Sequence, residues 1–158
     1  MKKRLVCLLI VLLLALSIGI PTITTAQIDD SIEITDVRGE TINFNSPPDR
    51  IVSFMASNTE ILFHLDLGDR VVGVDKYSNY PPEVNDIPKV GDAFNVNYEK
   101  IVSLDPDVIV ITKANTNMIS SLKEYDLKVV VTGGNNIDDV YSDIELLGKM
   151  CGIEEKAE

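Results

Sequence analysis

Asp105-Pro106-Asp107-Val108-Ile109-Val110-Ile111-Thr112-Lys113-Ala114-Asn115 is the stretch on which the fold turns. Its four consecutive aliphatic residues, Val108 to Ile111, offer no polar side to water, so a strand built from them needs cover on both faces, the habit of parallel sheets under helices. Lys128-Val129-Val130-Val131-Thr132 repeats the pattern. Both are expected as central strands. Upstream, Ile51-Val52-Ser53-Phe54 and Val71-Val72-Gly73-Val74 are shorter runs of the same kind. Alternation of such runs with helical segments indicates βαβ units and an α/β, Rossmann-like lobe with a mainly parallel sheet flanked by helices.

The helical segments are predicted over 58–67, 98–104, 117–125 and 137–150. The first is delimited by a capping box, Ser57-Asn58-Thr59-Glu60, and by Gly68 at its end. The last carries Val140, Ile144 and Leu147 at the spacing of one helix face. Before the lobe, Ile32-Glu33-Ile34-Thr35 and Thr41-Ile42-Asn43-Phe44 alternate apolar and polar residues around Arg38-Gly39, which reads as a β-hairpin. Ser46-Pro47-Pro48-Asp49 breaks the chain between the two.

The first residues have another character. Met1-Lys2-Lys3-Arg4, an apolar run from Leu5 to Leu16 and the small residues Thr24-Thr25-Ala26 have the layout of a secretory signal peptide, with cleavage expected after Ala26. The alternative is an uncleaved tether, since Leu5 to Ile20 is close to the roughly 17-residue minimum for a span. The expected organisation is thus a signal peptide over 1–26, a hairpin over 27–45 and an α/β lobe over 46–152. Residues 153–158 have strong helix formers after Gly152 and read either as the first turn of a further helix or as a short polar tail.

Removing the signal leaves 132 residues, the size of one ordinary domain. Of the two cysteines only Cys151 remains, so no intramolecular disulfide forms in the mature chain. The formal charge of −11 falls to −14 when Lys2, Lys3 and Arg4 are lost. With no basic cluster to neutralise phosphates, nucleic acid is excluded as a partner.

In an open parallel sheet, ligands bind at the loops that leave the carboxyl ends of the strands. Those loops are Met55-Ala56-Ser57-Asn58, Asp75 to Pro82, Lys113-Ala114-Asn115 and Gly133-Gly134-Asn135-Asn136. They hold no nucleophile with a base beside it, so an enzyme is not expected and no catalytic residue is assigned. The single histidine, His64, follows Glu60 by four residues and is expected as an exposed ion-pair partner. One histidine and one distant cysteine make no tight metal site, so none is expected. Gly133-Gly134 lies in no phosphate-binding motif and reads as a strand-to-helix turn. Asp105-Pro106-Asp107 and Asp138-Asp139 read as structural, the latter at the positive end of a helix.

Several blocks, in order, then carry a resemblance. Arg50-Ile51-Val52-Ser53, Thr59-Glu60-Ile61-Leu62-Phe63, Leu67-Gly68-Asp69-Arg70-Val71-Val72-Gly73-Val74, Tyr80-Pro81-Pro82-Glu83, Pro88-Lys89-Val90-Gly91 and Leu104-x-Pro106-Asp107 resemble the N-terminal lobe of the ABC-importer substrate-binding proteins for cobalamin, iron-siderophores and haem. The resemblance implies half of a bilobed protein whose lobes are joined by one long helix, with the C-terminal lobe absent here. It implies an exported monomer that holds a metal chelate as ligand, not as cofactor, and delivers it to a permease dimer. A stand-alone surface or sensory module without transport is the alternative.

By the same resemblance, ligand-facing residues are Met55, Ser57 and Asn58 in the first loop, where Ala56 replaces a frequent proline. Tyr77 follows, either facing the cleft or packed on Pro81-Pro82. Phe94, Lys113 and Asn115 are either ligand contacts or ordinary loop residues. Glu83 and Asp86 are assigned to permease docking, with Pro88 at the position that aligns best with the family's acidic residue.

Overall fold

The computed structural model describes residues 31–134 and 136–157, so the expected signal peptide lies outside the described residues. The hairpin forms as the alternation predicts: β1 (Ile32–Thr35) pairs antiparallel with β2 (Thr41–Phe44), with Ile32 opposite Phe44 and Ile34 opposite Ile42. Gly39, at φ 78°, makes the turn.

The lobe is built on a four-stranded parallel sheet of β3 (Ile51–Ser53), β4 (Val71–Val74), β5 (Val108–Thr112) and β6 (Val129–Thr132), in the order β4-β3-β5-β6. The unbroken apolar runs are split by the pleat between two cores. Val108, Val110 and Val130 face one side, with Leu62, Leu147 and Met150. Ile109, Ile111, Val129 and Val131 face the other, with Ile101, Met118 and Leu122. Helices α1 (Ala56–His64) and α4 (Ile137–Met150) cover the first side, and α2 (Tyr98–Ser103) and α3 (Ile119–Glu124) the second.

One expectation is corrected. β5 is central, but β6 is an edge strand. Its apolar run reports cover on both faces, not rank in the sheet. The open edge is occupied by the hairpin turn: Val37 N donates to Val131 O (3.3 Å) and Val131 N to Asp36 Oδ2 (3.1 Å). The Asp36 carboxylate is in turn gripped by Arg38, which also donates to Val129 O. The hairpin thus masks a strand edge that would otherwise offer unpaired backbone groups.

The capping box is also corrected. Helix α1 starts two residues earlier than predicted, with Met55 as N-cap at φ 80° and no side-chain cap, which leaves Ser57 inside the first turn. Its end is a Schellman turn, with Leu67 N donating to Leu62 O (2.9 Å) and Asp66 N to Phe63 O (3.0 Å) while Asp66 takes φ 58°. Gly68 is therefore not the cap. A Cβ there would stand 2.7 Å from the Phe63 ring, so glycine is needed for close approach. The predicted helix over 117–125 is split into a 3₁₀ segment, Lys113–Met118, and α3. Helices α2 and α4 match their predicted spans closely and are capped by Asn97 and Asn136. A short helix, α5 (Glu154–Ala157), follows.

Candidate functional site

The chain runs outward from β3 to β4 and then crosses back to β5 on β3's other side. The sheet therefore has its switch point between the carboxyl ends of β3 and β5, where loops part and leave a crevice. Met55 and Lys113 follow directly at that point.

Beneath the loops lies a layer of buried polar side chains. Thr59 Oγ1 bonds Ser53 Oγ (2.9 Å) and Ser78 Oγ (2.9 Å), and Ser78 donates to Asp75. Asn58 Nδ2 donates to Phe54 O (3.0 Å), and Thr132 Oγ1 donates to Asn58 Oδ1 (3.0 Å). Thr112 Oγ1 donates to Asn115 Oδ1 (2.8 Å), and Gly133 N to Asp143 Oδ1 (2.7 Å). These bonds link the ends of β3, β4 and β6 to α1, of β5 to the 3₁₀ segment Lys113–Met118, and of β6 also to α4. No buried side-chain nitrogen or oxygen among the described residues lacks a partner. Such a satisfied network fixes geometry, because each group would be costly if left alone.

This layer relocates two candidates. Asn58 and Asn115 are 1% and 3% exposed, with their amides engaged inside the lobe. They are bonded to Phe54, Thr132 and Thr112 beneath the loops.

The other candidates are exposed. Tyr77 is 63% exposed, Phe94 94% and Met55 40%. Lys113 and Ser57 are exposed as well, Ser57 on the side of α1 that looks toward α4. Met55 holds its strained backbone at the switch point, where such outliers often mark ligand clamps.

The Phe94 loop is held firmly. Gly91 takes φ 102°, where a Cβ would stand 2.1 Å from Asn95 O, and Gly91 bridges Val96. Asp92 Oδ1 accepts from Phe94 N (2.9 Å) and Asn95 N (2.9 Å), and these backbone donors hold its carboxyl below the usual range. The loop is tied to the Tyr77 loop by Lys76 N, which donates to Gly91 O (2.7 Å). Lys76 Nζ lies 5.5 Å from the Tyr77 ring centroid and 3.9 Å from Asp92. Asp143, between β6 and α4, has its carboxyl raised by burial against the opposing pull of the Gly133 and Gly134 N–H groups.

The acidic candidates Glu83 and Asp86 are both exposed on the 3₁₀ segment Pro82–Asp86. His64 is exposed on α1, but its expected ion pair with Glu60 is not formed. Asp107 is structural, as predicted: it accepts from Asp49 N (2.9 Å) and Arg50 N (2.8 Å). Among the described residues no group of three or more His, Cys, Asp or Glu side chains is placed to hold a metal ion. Sequence reasoning missed Asp75, Asp92 and Asp143. Asp92, followed at two and three residues by the amides it accepts, has the pattern of an Asx turn, which was the available signal.

The sequence profile of a family described as "Periplasmic binding protein" matches residues 51–158. The uncharacterized ABC transporter substrate-binding lipoprotein YvrC of Bacillus subtilis is 39% identical over 132 residues, covering 80% of this chain and 42% of its own. Among solved structures, the periplasmic vitamin B12-binding protein BtuF of Vibrio cholerae superposes with a TM-score of 0.64 at 29% identity, over 70% of this chain and 46% of that one. A periplasmic heme-binding protein of Pseudomonas aeruginosa gives 0.65 at 25% identity, over 70% and 40%. The chain thus spans less than half the length of each of these proteins.

Proposed function

The chain belongs to the periplasmic binding protein family, a family of binding proteins and not of enzymes, and from that premise we propose that it supplies one wall of a cleft for a metal chelate, delivered to an ABC permease dimer. The observation that carries this reading is Phe94, almost wholly exposed on a loop that Asp92 and Gly91 hold in one shape. Leaving such a ring in water forgoes roughly 1.5–3 kcal/mol of burial. A ligand face laid on it recovers that free energy without the cost of ordering a loop.

Met55, Tyr77 and Lys113 join Phe94 as the ligand-facing set, and Ser57 stands at its margin. Asn58 and Asn115 act as braces beneath them. Aromatic faces suit a flat or apolar chelate surface such as a corrin, a porphyrin or a catecholate, and Lys113 suits an anionic group on its edge. Similarity to vitamin B12-binding and heme-binding proteins supports cobalamin, haem or a ferric siderophore as the ligand class. Glu83 and Asp86 form the surface offered to basic residues of the permease. The place of work is outside the cytoplasmic membrane, as a monomer.

Calorimetric titration with cobalamin, haemin and a panel of ferric siderophores tests the reading. Binding to one of them, weakened at least tenfold by Phe94→Ala, is expected. Heat from none of them at any attainable concentration, with the fold intact, removes the chelate assignment.

A further inference from the structure

Between Asp75 and Pro88 the chain leaves the end of β4 and comes back to it. Val74 N donates to Pro88 O (3.0 Å) and Val90 N to Val74 O (2.9 Å), so Val74 and Lys89 form a parallel bridge that closes the loop at its base. A surface loop with its ends joined in this way and its own side chains packed inside is an Ω-loop, a form that is often functional. Its two arms carry different candidates. The first holds Tyr77, and the second, the 3₁₀ segment Pro82–Asp86, holds Glu83 and Asp86.

The side chain of Lys89 turns back into this loop. Its Nζ donates to Ser78 O (2.6 Å) and to Val84 O (3.2 Å), one carbonyl in each arm. Ser78 and Val84 are wholly buried. Ser78 is also held from its other side by Thr59 and Asp75, and Tyr77 N donates to Asp75 Oδ2 (3.2 Å). Val84 packs into the core on the α1 side of the sheet. Among the described residues no other hydrogen bond runs from 75–80 to 82–87, and Lys89 makes no salt bridge. An ammonium is a compact donor of three N–H groups, and bonds from a charged donor are roughly twice as strong as neutral ones. The two arms therefore meet at one charged point.

We infer that Lys89 is a positioning residue, the pin that makes the Tyr77 arm and the Glu83–Asp86 arm one body. It acts through Ser78 and Val84, next to Tyr77 and Glu83 in the chain. What the arms do rests on the proposed function, in which Tyr77 meets the chelate and Glu83 and Asp86 meet the permease. That they move together does not. With the pin in place, a ligand that settles on Tyr77 constrains the docking segment as well; without it, the constraint stops at Ser78.

Amide hydrogen exchange, read by mass spectrometry on the ligand-free chain, tests the pin. The reporters are Tyr77 and Ser78 in the first arm and Val84 and Ile87 in the second, whose amides all donate within the loop. Lys89→Met keeps the stem and removes the charge. It should speed exchange about tenfold or more in both arms and leave β5 and α4 unchanged. Lys89→Arg, which keeps charged donors, should restore most of the protection, and Lys123→Met, at an exposed ion pair on α3, should leave the loop as it was. Faster exchange in one arm alone, in neither, or equally through β5 and α4 overturns the inference. The same measurement with cobalamin and haemin added tests what the pin transmits. A chelate that binds should slow exchange in both arms of the parent and only at Tyr77 and Ser78 in Lys89→Met; slowing that still reaches Val84 in that variant overturns the coupling. Binding of neither chelate counts against the cleft reading, and the ligand-free comparison then decides the pin by itself.

Discussion

Two loops at the carboxyl edge of the sheet are closed by the same device, and their carboxyls are shifted in opposite directions. In the Gly91–Val96 loop, Asp92 accepts the amides of Phe94 and Asn95. In the Gly133-Gly134 turn, Asp143 reaches from α4 to accept the amide of Gly133. Asp92 is buried, 7% exposed, and its backbone donors depress its carboxyl. Asp143 lies between sheet and helix, where loss of water outweighs the same kind of donors and raises it. The Phe94 loop is thus a closed unit that presents a side chain outward. The Gly133 turn is a joint in the core, held by a carboxylate whose charge works against its burial.

The largest way to break the comparison is at the glycines. A methyl at Gly91 would sit 2.1 Å from Asn95 O with φ at 102°, so Gly91→Ala should cost roughly 2–3 kcal/mol in denaturant unfolding and release the Phe94 loop. Gly134 has φ 74° but its nearest neighbour, Thr112 Cγ2, is 3.5 Å away, so Gly134→Ala should cost only about 1 kcal/mol. Equal losses would mean that backbone conformation alone, and not contact, governs both loops.

Next in size is the joint. Asp143→Ala leaves the Gly133 amide without its acceptor in the core and should cost about 2 kcal/mol, whereas Asp143→Asn keeps an acceptor oxygen and removes the buried charge. At neutral pH the asparagine variant should unfold within about 0.5 kcal/mol of the parent. A loss as large as that of the alanine variant would show that the charge itself holds the turn.

Legibility followed the physics of each region. Runs such as Val108–Ile111 announce cover on both faces, so the sheet, the hairpin and the span of α4 could be read directly. What failed were features set by single backbone torsions or by partners distant in sequence. Ser57 and Glu60 have the composition of a capping box, but Met55 at φ 80° starts the helix before them. Asn58 and Asn115 stand in loop sequences that face a crevice, yet Thr132 and Thr112 draw them inward. Phe94 was readable as a candidate, but its near-total exposure depends on Gly91 and Asp92, and three-dimensional closure of that loop is not written in its composition.

Acid should separate the two carboxylates by sign. Asp92 is depressed, so its contribution is present above its unfolded pKa near 3.8 and is lost as pH falls through its lower folded value. Asp143 is raised, so its folded form takes up a proton that the unfolded chain releases, and stability declines as pH rises from 3.8 through its folded value. Unfolding curves at intervals between pH 3 and pH 7 should therefore show Asp92→Asn flattening the acid limb below 3.8 and Asp143→Asn removing a decline above it. Identical pH profiles for the two variants would dissolve the distinction between loop and joint.

The smallest effect on stability is expected where the proposed effect on binding is greatest. Phe94 is 94% exposed and its loop is closed by backbone bonds to Asp92, so Phe94→Ala removes almost no packing and should leave unfolding within about 0.5 kcal/mol. Its chelate affinity should nonetheless fall at least tenfold. A side chain that packs structurally behaves the other way, losing stability first and binding through it. The pair of measurements on one variant therefore distinguishes a platform from a prop, and a Phe94→Ala chain that unfolds easily yet binds as before would make Phe94 the prop.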